Sequence, residues 1–132
     1  MDRTALLARG AEEVAAGRIS AAEATYRSIL AVVPLDPDAL RNLGAVPNIA
    51  GRHEAAEACC RAALAAQPGF WAALGDLGTA LHHQQSHDEA IAAYVAALRS
   101  NPRDVNACSN LGVALAAQWR MADSLAVHAA SL

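Results

Sequence analysis

Lysine is absent from this 132-residue chain: all ten of its basic residues are arginine. Aromatic residues make up only 4% of it. The arginines are scattered along the chain, so no basic face is offered to nucleic acid or to an anionic membrane surface, and neither partner is expected. No apolar run is long enough to cross a bilayer. Met1-Asp2-Arg3 is not followed by a secretory apolar region and a small-residue cleavage site, which makes the cytoplasm the expected compartment. There are three cysteines, Cys59, Cys60 and Cys108. They have no metal-ligand spacing, and buried or free thiols are the expectation. What is plentiful is alanine, the smallest side chain with high helix propensity, and residues of strand type do not alternate. The pattern predicts an all-α chain.

The second positive signal is periodic. Gly10, Gly44, Gly78 and Gly112 are spaced by 34 residues, and so are Pro34, Pro68 and Pro102. Leu30, Leu64, Leu98 and Leu132 keep the same step, as do Tyr26, Cys60, Tyr94 and His128. Ala22, Ala56 and Ala90 lead in that step to Ser124. Four units fit a single domain spanning 1–132: about 3–36, 37–70, 71–104 and a truncated 105–132. Each unit reads as two antiparallel helices, A and B. In the second unit, helix A is predicted over Pro37–Ile49, capped by Asp36 with a proline at its first position. Helix B is predicted over His53–Ala66, with Gly51 in the turn between the two. Ser86 and Glu89 have capping-box spacing at the third B helix. In the fourth unit the turn is predicted at Trp119 and helix B from Met121. One unit buries too little apolar surface to stand alone, so stacking must supply the core.

A 34-residue period carrying Leu-Gly, then Ala, then an aromatic, then Pro resembles the tetratricopeptide repeat family. The resemblance implies an all-α, right-handed superhelical solenoid whose A helices line a concave groove. Within that frame two departures stand out. Arg9 and Glu13 replace leucine in the first unit, as suits a polar cap, and are spaced to pair along the helix. Pro47 falls in the slot of Leu81 and Leu115, where it removes a backbone N–H and crowds the Leu43 carbonyl; a local kink near the helix end is the expectation.

Residues that face away from the core stripe of the A helices are the candidate groove: Asp38, Arg41, Asn42 and Ala45, then Asp76, Thr79 and His83, then Asn106 and Asn110. Asn42, Asp76 and Asn110 are each one period apart and form a ladder. A carboxamide both donates and accepts, so such a ladder suits the backbone of an extended peptide. The "NLG" ladder resembles the repeat arm of protein O-linked N-acetylglucosamine transferases and their plant and bacterial relatives, where helix-A asparagines grip peptide backbone. Asp76 departs from that pattern, since a carboxylate only accepts. The clamp that other family members use on chaperone tails needs lysine and arginine along the groove, and Arg41 alone approaches that role.

Enzymatic chemistry is not expected within this chain. Ser109 and Ser124 have no nucleophile signature, the glycines follow the repeat and not a phosphate loop, and the acids Glu12–Glu13 and Asp88–Glu89 are expected on exposed faces. His82, His83 and His87 straddle a turn, which argues against a metal site; no cofactor is expected. Trp71 and Trp119 are expected to pack over seams between units. Two functions fit: a scaffold that binds a peptide or protein partner, or the recruitment arm of a larger enzyme such as a glycosyltransferase. The stripe Leu125, Val127, Ala129 and Leu132 on the last B helix has no successor to cover it, which predicts weak self-association with two-fold symmetry.

Overall fold

The computed structural model describes residues 2–130, with side chains for residues 2–119. Among the described residues seven helices follow one another: α1 (Arg3–Ala15), α2 (Ile19–Val32), α3 (Pro37–Ile49), α4 (His53–Ala66), α5 (Trp71–His83), α6 (His87–Ser100) and α7 (Val105–Ala130). There is no strand among the described residues. The second unit has the helix bounds read from its caps and turn. Aspartates start three of the four A helices: Asp2 accepts from the Ala5 N–H at 2.7 Å, and Asp36 and Asp104 accept from Ala39 and Ala107 at 3.1 Å, whereas α5 follows Phe70 with no side-chain cap. Each satisfies one of the backbone donors a helix start leaves open. Ser86 precedes α6, but its side chain makes no capping bond, so the capping box is not formed. No helix among the described residues is long and apolar enough to cross a membrane.

The first three A helices each pack on their own B helix, and each B helix packs on the next A helix. A second row of contacts joins α3 to α5 and α5 to α7, so the A helices stand side by side. The core runs along the stack as a spine of small residues with a few large ones inserted. Ala22, Ala56 and Ala90 are fully buried, and Tyr26 and Tyr94 are buried against Gly10 and Gly78. A Cβ at Gly78 would lie 2.6 Å from Tyr94 Cε1, which is why this slot takes no side chain. The Tyr94 hydroxyl meets Thr79 Oγ1 at 3.1 Å, so its polar tip is satisfied inside the stack. Cys60, in the tyrosine slot of the second unit, is also buried, and burial pushes its thiol up to about 12, so it is a packing residue and not a nucleophile. Ion pairs staple neighbouring units: Arg3 to Asp36 and Asp38, Arg52 to Glu23, and Arg41 to Asp76.

Two residues in one slot of the A helices depart from leucine. Glu13 is buried, not exposed; it accepts from Thr25 Oγ1 at 2.5 Å, with Arg9 Nε 3.8 Å away. The polar first unit therefore carries a hydrogen-bonded acid where the third and fourth units carry leucine. Pro47 is buried in the same slot, and α3 runs through it to Ile49. Its carbonyl accepts from the Arg52 N–H at 2.7 Å, as Glu13 does from Arg18 at 2.8 Å and Leu81 from Ser86 at 2.9 Å. The turn after the proline therefore matches the turns in the other units.

The fourth unit differs from the expectation. The chain does not turn at Trp119; α7 continues as one helix of 26 residues. The turn slot explains it. Gly17, Gly51 and Gln85 occupy this slot in the first three units with φ of 78°, 81° and 67°. For a residue with a Cβ the left-handed region costs roughly 1–2 kcal/mol. Gln85 bears that cost where α6 then covers Gly78 with Tyr94. Trp119 would bear it to bring the more polar His128 over Gly112, so the return on turning is smaller and the helix goes on. Trp119 is 72% exposed and packs over no seam. The side chains of Leu125, Val127, Ala129 and Leu132 lie outside the described residues.

Candidate functional site

The row of A helices places residues 34 apart in neighbouring positions on one face, because each A helix repeats the register of the last. Asn42, Asp76 and Asn110 thus fall on α3, α5 and α7 in turn. Arg41 ties the first two together: its Nε donates to Asp76 Oδ2 at 2.8 Å and its Nη1 to Asn42 Oδ1 at 2.9 Å. Asn48 Nδ2 adds a bond to the Asp76 carbonyl at 3.0 Å, which fixes α3 against α5. Burial raises the Asp76 carboxyl above its ordinary range; Arg41 opposes that shift and the nearby Asp104 adds to it.

Between α3, α5 and α7 lies a cleft of about 70 Å³ lined by Arg41, Asp76, Thr79, Asn106 and Asn110. All five were candidates from the repeat register. Trp71, Gly75 and Asp104 also line it and were not. Asp104 could have been found as the counterpart of the cap residue Asp36, whose slot falls at the mouth of the next A helix. The cleft is far below the roughly 300–1,000 Å³ of a small-molecule site, so it suits a side-chain tip or a stretch of backbone and not a cofactor. Among the described residues, no hydrogen bond is made by the Asn106 or Asn110 carboxamides, and the Asn42 NH₂ is likewise unspent. Asn106 is exposed and Asn110 half-buried, and both carboxamides can donate and accept, whereas Asn42, whose Oδ1 already accepts from Arg41, keeps its NH₂ to donate. Thr79 is less available, since its hydroxyl already meets Gly75 O and Tyr94.

Other candidates lie apart. Asp38 is held by Arg3 toward the first unit, and Ala45 is half-buried beside the ladder. His83 leaves the cleft: its ring stacks on His53 with centroids 4.3 Å apart and its Nδ1 meets Thr79 O at 2.9 Å. His82 and His87 meet Nδ1 to Nδ1 at 3.3 Å, so one ring donates and the other accepts. These four rings gather at the turn edge of the second and third units. Burial, and behind it the neighbouring rings, holds His53 and His82 below the ordinary histidine range. Among the described residues, no group of three His, Cys, Asp or Glu side chains converges to hold a metal ion. Wider concavities lie at the two ends of the stack, about 660 Å³ beside Arg9 and Glu13 and about 640 Å³ beside Leu115 and Trp119.

The fold has many solved counterparts. The Sgt2 TPR domain from Aspergillus fumigatus superposes with a TM-score of 0.87 at 21% identity, covering 91% of this chain and 81% of that one. The first TPR of Spaghetti (RPAP3), bound to the HSP90 peptide SRMEEVD, gives 0.81 at 22% identity over 87% of this chain and 91% of that one. A Thermobaculum terrenum O-GlcNAc transferase gives 0.81 at 28% identity, covering 87% of this chain but 23% of that one. No curated protein sequence matches the chain. The tetratricopeptide repeat profile matches residues 7–69, 50–104 and 87–131. With the 34-residue register, the stacked helical hairpins and that near-complete coverage in agreement, the chain belongs to the tetratricopeptide repeat family.

Proposed function

We propose that the chain is a binding module that holds an extended peptide segment of a protein partner along the row of A helices, through the carboxamides of Asn42 and Asn110. The observation that carries this reading is the hydrogen-bonding capacity they keep, the Asn42 NH₂ and the whole Asn110 carboxamide, in one register, beside a cleft too small for a metabolite. An extended peptide presents a donor or an acceptor at every residue, and a carboxamide answers either. Asp76 between them accepts backbone N–H groups or a cationic side chain. The occupant differs in charge from the acidic peptide SRMEEVD held by the Spaghetti domain. Here the cleft holds one cation, Arg41, and Asp76 already engages it. A second reading, the recruitment arm of a larger enzyme, is favoured by the 28% identity to a segment of an O-GlcNAc transferase and rests on the same groove.

The test is Asn42→Ala with Asn110→Ala, measured against a panel of unrelated extended peptides. Two lost neutral hydrogen bonds at about 0.5–1.5 kcal/mol each weaken binding roughly 5- to 150-fold. The factor should be similar for every peptide, because backbone and not side chains is gripped. Absence of binding by the unaltered protein, or binding that the double variant leaves intact, overturns the reading.

A further inference from the structure

Four glycines share one A-helix slot, and three of them are covered. Gly10 lies under Tyr26, Gly44 under Cys59 and Cys60, and Gly78 under Tyr94. A Cβ built at Gly112 meets nothing within 4 Å among the described residues. Beside it Leu115 is 47% exposed, while its counterpart Leu81 is 4% exposed. The face of α7 that carries Gly112 is therefore an open seat of the shape that a B helix fills in the other units.

The sequence after Trp119 carries the register of such a helix. Arg120 holds the slot of Arg18 and Arg52. Ser124 holds the slot of Ala22, Ala56 and Ala90, each at 0% exposure. His128 holds the slot of the residues that cover Gly10, Gly44 and Gly78, and Leu132 that of Leu30, Leu64 and Leu98. Yet the backbone of α7 is one unbroken helix through Trp119 to Ala130, and a straight helix cannot lay its second half on its first.

We propose that the seat on α7 is filled by residues 121–132 of a second copy of this chain, reciprocally, in a two-fold dimer formed by segment exchange. The register favours this occupant over an unrelated helix: the small residue, the ring and the leucine recur at the three positions where α2, α4 and α6 seat on their own A helices. Exchange also avoids the left-handed turn at Trp119 while recovering the contacts that turn would have given. The arrangement is self-complementary and closes with two copies, so no filament follows.

Sedimentation of the full 132-residue protein from micromolar to several hundred micromolar tests it, with helix content followed by circular dichroism. The unaltered protein should dimerise. Ser124→Arg puts a guanidinium where only alanine-sized groups fit, and should raise the dimer dissociation constant at least tenfold. Gly112→Trp fills the seat from within the chain and should do the same without disturbing α5 or α6. Trp119→Gly restores the turn glycine and should give a monomer that closes on itself. A monomer at every concentration overturns the proposal. So does a dimer that survives Ser124→Arg and Gly112→Trp with helix content unchanged, or one that persists undiminished in Trp119→Gly.

Discussion

Replacing Pro47 with leucine should stabilise the protein. Pro47 sits in the last turn of α3 with Asn48 and Ile49 after it, buried in the slot that leucine fills at position 81. Inside a helix, proline is about 3 kcal/mol less favourable than a good helix former, through the missing N–H and the clash with the carbonyl one turn back. That carbonyl belongs to Leu43. The turn after the slot has the same closing bond in all three units, at 2.7, 2.8 and 2.9 Å, so leucine needs no new backbone path. Added methylenes in a packed site cost about 1–3 kcal/mol, which offsets part of the gain. The net expectation is a gain of up to about 2 kcal/mol, a rise in Tm of up to about 10 °C for a chain of this size. Thermal unfolding followed by circular dichroism reads it, and Pro47→Ala separates the backbone gain from the packing. A Tm lower than that of the unaltered protein for both variants would refute the reasoning, because it would mean that the neighbours are built around the proline.

Gly78→Ala should lose about 1–2 kcal/mol in chemical denaturation despite alanine's better helix propensity, since its Cβ would sit 2.6 Å from Tyr94 Cε1 and the tyrosine is held by Thr79. His53 and His82 titrate below their ordinary 6.5 in the folded chain. The unfolded chain therefore binds more protons in that window, and the stability they contribute is full above 6.5 and lost as pH falls below it. Tm should fall on acidification from pH 7.5 to 5.5, and His53→Gln with His82→Gln should flatten that slope. Asp76→Asn removes the negative charge that faces Arg41 and leaves the guanidinium charge uncompensated in the cleft. In a matched peptide series differing only in one central residue, the unaltered groove should prefer lysine to glutamate, and Asp76→Asn should reverse the order.

The parts legible in the sequence are those that depend on residue type at a fixed period. The bounds of α3 and α4 follow from Asp36-Pro37, Gly51 and Pro68, and the buried spine follows from the alanine and glycine series. Four things were not legible, each for a physical reason. The turn slot is defined by a left-handed φ, which Gln85 adopts and Trp119 does not, so residue type alone misplaces the end of the fourth A helix. Glu13 is buried because Thr25, twelve residues away on α2, supplies its hydrogen bond, a partnership that a helical wheel of α1 cannot reveal. At the groove, the ladder of Asn42, Asp76 and Asn110 came from the register, but the bridge that Arg41 makes from Asn42 to Asp76 depends on the distance between α3 and α5. His83 was placed on the groove by its helical angle, whereas stacking on His53 draws it to the turn edge.

The most direct measurement of the peptide groove is a titration followed by the side-chain amide resonances of the asparagines in ¹⁵N-labelled protein. An extended peptide with a central lysine is added to the unaltered chain at fixed pH. The Asn42 and Asn110 side-chain NH₂ signals should shift together along one saturating curve, with the backbone of α4 and α6 left in place. Saturable binding that moves α4, α6 or the open face of α7 while those two NH₂ signals stay fixed would contradict peptide recognition by the row of A helices.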